Sequence, residues 1–212
     1  DDGDNTNDWN NINVTADAPT VTIDITVLTK SDGEKIEEIN DTLDSKITEL
    51  LDSIKNNEST LIPDSLQITS SISSIQEFTE KYDMLSDNAK TYISDDTLEK
   101  IESLKEVVSN TIKEDTASKI KVSDLEKGQW NIGIKVTPIV ENDLTYSTIT
   151  IDCGENKILS LYEINLVNYI TDEIYELSDG NTVTISMPAV PYDTSKYKGI
   201  LIVHKRHDGE LE

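Results

Sequence analysis

Residues 94–140 read SDDTLEKIESLKEVVSNTIKEDTASKIKVSDLEKGQWNIGIKVTPIV, and the spacing of apolar side chains changes along them. Leu98, Ile101, Leu104, Val108 and Ile112 recur every three or four residues, the repeat of one helix face. Ile132, Ile134 and Val136 then recur every second residue, the repeat of a strand with one face covered. Ser94 ahead of Asp95 and Asp96 is a helix start: a hydroxyl to accept a free N–H, then acids at the positive helix end. A change of period near residue 118 predicts helices first and a sheet afterwards, an α+β chain.

Towards the N-terminus the helical repeat continues. Ser31 with Glu34 has the form of a capping box, and Ile36, Ile39, Leu43, Ile47, Leu50, Leu51 and Ile54 form a stripe ending near Asn56-Asn57. Asp64 with Gln67, after Pro63, opens a second helix with the stripe Ile68, Ile72, Ile75, Phe78, Tyr82 and Leu85. Ser70, Ser71, Ser73 and Ser74 are poor helix formers, so packing must hold this helix. Ser86 caps a short turn reaching Ile93. The expected unit over residues 31–117 is a three-helix bundle. Ahead of it, residues 20–29 (TVTIDITVLT) alternate as a strand, which must pair with something later in the chain. We place this strand at 19–30 and expect it to join the C-terminal sheet, behind an acidic linker at 1–18.

Towards the C-terminus, short strands are expected over Trp130–Val140, Ser147–Ile151, Ile158–Val167, Thr182–Met187 and Gly199–His204. Ser178-Asp179-Gly180-Asn181 and Asp208-Gly209 are turn signals. Residues 118–212 are thus expected to form an antiparallel β-sandwich of the Ig-like kind.

Charge narrows the partners. The 212 residues hold 42 acids and 18 bases, a net charge of −24. A field of that sign repels phosphate, which argues against nucleic acid and against an anionic membrane surface. No apolar run reaches the roughly 18 residues of a membrane span, and no signal peptide is read in these residues. One cysteine, Cys153, excludes an internal disulfide and a cysteine-based zinc site.

Two groups of motifs carry a resemblance. Tyr82-Asp83-Met84-Leu85-Ser86, then Lys90, Tyr92-Ile93, Leu98 and Ile101, resembles a helical module of secreted, multidomain surface proteins of Gram-positive bacteria. Trp130-Asn131-Ile132, Val136-Thr137-Pro138, Leu159 to Ile164, Val183 to Pro188, Ile202-Val203-His204 and Asp208-Gly209 resemble the β-sandwich module that often follows it. The resemblance covers roughly residues 64–210. It implies a non-catalytic extracellular or cell-surface segment set among neighbouring domains, and it transfers no functional residues.

Every chemical candidate has a plainer reading beside it. Cys153 with His204 or His207 has the residue types of a thiol nucleophile and its base, but Asp152 beside the thiol opposes thiolate formation. Cys153 is read as a small strand-end thiol. His204 and His207, three apart on a strand, point to opposite faces and make a poor metal clamp. Asp1, Asp2, Asp4, Asn5, Asn7 and Asp8 offer hard oxygens, but not at EF-hand spacing, and are read as solvated linker. Asp95-Asp96 are read as helix capping. Lys135 and Glu163, expected on adjacent strands, are candidates for a lysine–asparagine isopeptide cross-link with its carboxylate, although Gly199–His204 offers no asparagine. Trp130, Tyr146, Tyr162, Tyr169, Tyr175, Tyr192 and Tyr197 supply aromatic faces of the kind that stack on sugars, and equally fit half-buried strands. We therefore expect no catalytic, cofactor or metal residues. The expected function is a structural spacer that packs or displays neighbouring domains, with a glycan- or host-protein-binding adhesion module as the alternative.

Overall fold

A computed structural model describes residues 28–56, 65–143 and 157–196. The strands expected at Thr20–Thr29, Ser147–Ile151 and Gly199–His204 lie wholly or mostly outside those residues. The chain is α+β: helices first, then, among the described residues, two three-stranded antiparallel sheets.

The first helix, α1 (Lys30–Glu37), does not start at the cap expected from Ser31 and Glu34. Thr29 is the extended cap residue, and its Oγ1 accepts the Asp32 N–H at 3.0 Å. Asp32 is buried, and its Oδ2 accepts from Ser86 Oγ at 3.0 Å, 54 residues away. The long-range partner thus fixes the start two residues earlier than the local motif suggests. A π-helical stretch, Glu38–Leu43, links α1 to α2 (Asp44–Lys55). Within it Asn40 turns outward to bridge a distant loop: Nδ2 donates to Tyr92 O at 3.0 Å, and Oδ1 accepts the Ser94 N–H at 3.1 Å.

The long helix α3 (Ser65–Asp83) carries the serine run, and Ser71 and Ser74 are fully buried. Small side chains on that face leave room for neighbouring helices to pack close. Ser74 Oγ donates back to Ser70 O at 3.0 Å, satisfying the hydroxyl within its own helix. Ser86 caps α4 (Asp87–Lys90) and Ser94 caps α5 (Asp95–Ile112), both as expected, through the N–H groups of Ala89 and Thr97. Ile39, Leu43, Ile47, Ile75, Ile101, Leu104 and Val108 form the sealed centre of one apolar cluster.

Beyond Lys113 the chain reverses. The strand β1 (Glu114–Asp115) pairs with β2 (Ile120–Ser123), which pairs with β6 (Thr184–Ser186). The reversal is held by Asp115, whose Oδ2 accepts from Ser118 N at 2.7 Å and Ser118 Oγ at 2.6 Å, with Lys119 at φ +61°. The second sheet sets β3 (Ile132–Pro138) against β4 (Tyr162–Asn168), and β4 against β5 (Glu173–Ile174). Strands are shorter than expected. Leu159 stands exposed ahead of β4, and only Thr184–Ser186 of the 182–187 run pairs, because β2 is itself short. The expected turn after Glu176 is present: Asn181 N donates to Ser178 O at 3.0 Å, with Gly180 at φ +84°. A smaller apolar cluster, Ile120, Val122 and Ile134, draws on both sheets.

Candidate functional site

The helical and β regions meet where α5 ends. On β3, Gly133 lies so close to that end that a Cβ would sit 2.7 Å from Ile112 Cβ, and nearer still to Ile112 O. A side chain there must displace backbone, so the seam requires glycine for its size rather than for its dihedral angles. Trp130 and Tyr169 flank the contact, half-buried against the helical cluster. The Tyr169 hydroxyl donates to Ile134 O at 2.8 Å, and its N–H to Asn131 O at 2.9 Å. Burial, and then the charges of Asp115 and Asp172, push this phenol above its ordinary value. It is therefore a fixed proton donor, not a phenolate.

Two grooves run along this seam. The first, of about 610 Å³, is floored by Ile68, Ile72, Ile112 and Ile134 and rimmed by Glu114 and Asp115. The second, of about 560 Å³, lies between α5 and the loop 125–130. Its charges alternate: Lys105, Lys113 and Lys127 against Glu102, Glu106 and Glu126. There Gln129 donates through Nε2 to Glu126 and to the Tyr175 hydroxyl, while its buried Oε1 finds no partner among the described residues. Among the described residues neither groove gathers a nucleophile, a base and an oxyanion donor.

Among the described residues an ionic cluster lies elsewhere, between α2 and the N-terminal end of α5. Lys100 Nζ reaches Asp44 Oδ2 at 2.8 Å and Asp96 Oδ2 at 2.7 Å, while Thr97 Oγ1 donates to Asp44 Oδ1 at 2.8 Å. The hydrogen bonds to Asp44 and then Asp96 raise the ammonium above its ordinary value, so Lys100 holds its proton. Glu38 does the same for Lys81 at 2.8 Å. Such groups fasten helices; they do not exchange protons near neutrality.

The sequence-derived candidates fare unevenly. Cys153, His204, His207, the Asp1–Asp8 cluster, Tyr146 and Tyr197 lie outside the described residues. Among the described residues no three acidic, histidine or cysteine side chains converge as a metal site. Lys135 and Glu163 do lie on paired strands, but the register sets Lys135 opposite Asn165 and Glu163 opposite Thr137. Asn165, an asparagine the strand pattern did not single out, donates through Nδ2 to Glu163 Oε1 at 3.1 Å. The spacing Glu163-Ile164-Asn165 was its signal, since alternate residues share a face. Even so, the Lys135 side chain is 65% exposed, with Asp172 Oδ1 at 3.7 Å. Such a cross-link needs its amine held against the amide away from water, and this side chain stands largely in solvent. The tyrosines Tyr162, Tyr169, Tyr175 and Tyr192 are half-buried rather than laid out as an open platform.

No helix is long and apolar enough to cross a membrane among the described residues. Set against known proteins, the chain matches no family model, no curated protein and no solved structure. The likeness to Gram-positive surface modules therefore stands on its motif residues alone.

Proposed function

We propose that this chain is a non-catalytic structural segment of a bacterial secreted or cell-surface protein, a spacer that fixes the relative placement of neighbouring domains. In this reading the helices act as a three-helix bundle and the two sheets as an Ig-like sandwich. The observation that carries it is the seam: Gly133 against Ile112, flanked by Trp130 and Tyr169, joins the two regions without a linker between them. A spacer transmits position only when its parts do not swing, and a close-packed contact of this kind resists bending. The motif resemblance supports the cell-surface setting. The locked, protonated lysines and the hydrogen-bonded Tyr169 support a role without acid–base chemistry.

A second reading, an adhesion module that captures a host protein or glycan, draws on the first groove. The half-buried tyrosines favour a protein over a sugar as its ligand.

Two measurements test the spacer. Backbone ¹⁵N relaxation on the 212-residue chain is expected to give the helical and β regions one rotational correlation time; separate tumbling would reject the reading. Antibodies against the chain are expected to label intact cells of the source bacterium. Labelling only after lysis would reject the cell-surface setting.

A further inference from the structure

The tripeptide Ser-Asp-Gly occurs twice among the described residues, as Ser31-Asp32-Gly33 and Ser178-Asp179-Gly180, and the fold treats the two copies oppositely. Space does not separate them, since each glycine has open room where a Cβ would stand. Hydrogen bonding does. Inside α1 the Gly33 N–H donates to Thr29 O at 3.0 Å, and the buried Asp32 carboxylate accepts from Ser86 Oγ at 3.0 Å. Asp179 and Gly180 stand exposed in the turn ahead of β6, with Gly180 at φ +84°. Among the described residues nothing accepts the Gly180 N–H and nothing binds the Asp179 carboxylate; the turn is tied through the next amide, Asn181 N to Ser178 O at 3.0 Å. An untethered carboxyl group followed by a free glycine amide is the reactant pair of succinimide formation, and glycine leaves the approach unhindered. What this turn holds is β6: Asn181 Nδ2 donates to Glu126 Oε1, and Thr184 pairs with Ser123.

We propose that Asp179 is a site of spontaneous isoaspartate formation in the folded chain, and that the conversion loosens β6 from β2. The Gly180 nitrogen gives up its proton and attacks Asp179 Cγ; the N–Cγ bond forms, the Cγ–OH bond breaks, and water leaves. Water then adds to the ring carbonyl that was the Asp179 main-chain carbon, and its bond to nitrogen breaks. Water lost is water regained, nothing is oxidised or reduced, and mass and charge are unchanged. The main chain now runs through Cβ and Cγ, longer by a carbon, just ahead of Asn181. The register of a short strand is set by its turn, so β6 is the element that pays for the extra length. The proposal goes beyond the spacer reading and does not depend on it, because the turn lies apart from the contact of Gly133 with Ile112.

The test holds the whole chain at neutral pH and physiological temperature for several weeks, folded and, in parallel, unfolded in urea. Isoaspartate is then located in its peptides by electron-transfer mass spectrometry. In the folded chain Asp179 is expected to convert at least about tenfold faster than Asp32, and to stay within about tenfold of its own rate in urea. A smaller separation from Asp32, or a greater slowing relative to urea, overturns the site. Asp179→Glu keeps the charge at this exposed position but needs a larger, slower ring, and is expected to abolish the conversion there; an isomer persisting at that position in the variant overturns the chemistry. The converted chain, separated by ion-exchange chromatography, is expected to exchange its β6 amides at least about tenfold faster than the fresh chain, with α5 unchanged. Unaltered exchange in β6 overturns the loosening. None of these failures alters the joint tumbling expected of the spacer.

Discussion

In the helical region Ile39, Ile47, Ile75 and Leu104 are sealed from solvent, whereas in β6 Thr184, Ile185 and Ser186 are all exposed. Helix propensity does not explain the contrast, because α3 carries four serines near its middle and still buries one face. Long stripes explain it. A helix of 19 residues presents four or five core positions to its neighbours, while β5 has two residues and β6 three. Among the described residues the β cluster has three buried members, and β3 buries Ile132, Gly133 and Ile134 at its helix-facing end. Among the described residues the helical region carries the larger core, and β3 packs against it at the seam.

The most damaging way to break this comparison is at the shared support. Leu104→Ala is expected to cost about 4 kcal/mol and to unfold both regions together, seen as coincident circular dichroism and tryptophan-fluorescence transitions in urea. Next, Gly133→Ala sets a methyl into Ile112 and is expected to cost about 3 kcal/mol. Here the comparison sharpens: in a Trp9→Phe background, where tryptophan emission reports Trp130 at the seam, the emission is expected to shift at lower urea than the helical signal.

A smaller effect belongs to the α2–α5 fastening. Lys100→Met is expected to cost about 1 kcal/mol near neutral pH, the scale of a partly exposed pair. The sign with pH follows from the raised folded pKa of Lys100. The bonds to Asp44 and Asp96 contribute fully below the unfolded lysine value of about 10.4 and fade as pH rises through the folded value. The gap between wild type and Lys100→Met is therefore expected to shrink in urea titrations as pH rises past the unfolded lysine value of about 10.4. The mildest change works in the opposite direction. Ser71 Oγ is buried without a hydrogen-bond partner among the described residues. Ser71→Ala removes that unmet group and improves helix propensity, so the melting temperature is expected to hold or rise, a gain of about 1 kcal/mol at most.

The sequence disclosed what depends on local chemistry. Ser86 and Ser94 were legible as caps because a cap needs only its own first turn, and the apolar stripes were legible because a helix face repeats. Long-range contacts hid the rest. Ser31 with Glu34 imitates a capping box, but Asp32 answers to Ser86 and draws the start back to Thr29. Nothing local marks the π-helical stretch, whose Asn40 serves Tyr92 and Ser94 more than fifty residues on. Gly133 reads as a weak residue in a strand until the end of α5 is set beside it. The pairing of Lys135 with Asn165 is a matter of register, which strand composition does not fix. For the candidate grooves, individual acids and isoleucines were visible, but not which of them the fold would bring together among the described residues.

Residue-resolved hydrogen exchange in the native state tests most directly whether the sheets lean on the helices. The amides of Ile75 and Leu104 are expected to exchange only through global unfolding, with β5 and β6 opening at markedly lower free energy. Equal or greater protection across β5 and β6 would show that the β region stands on a core of its own, and the dependence argued from the seam would be wrong.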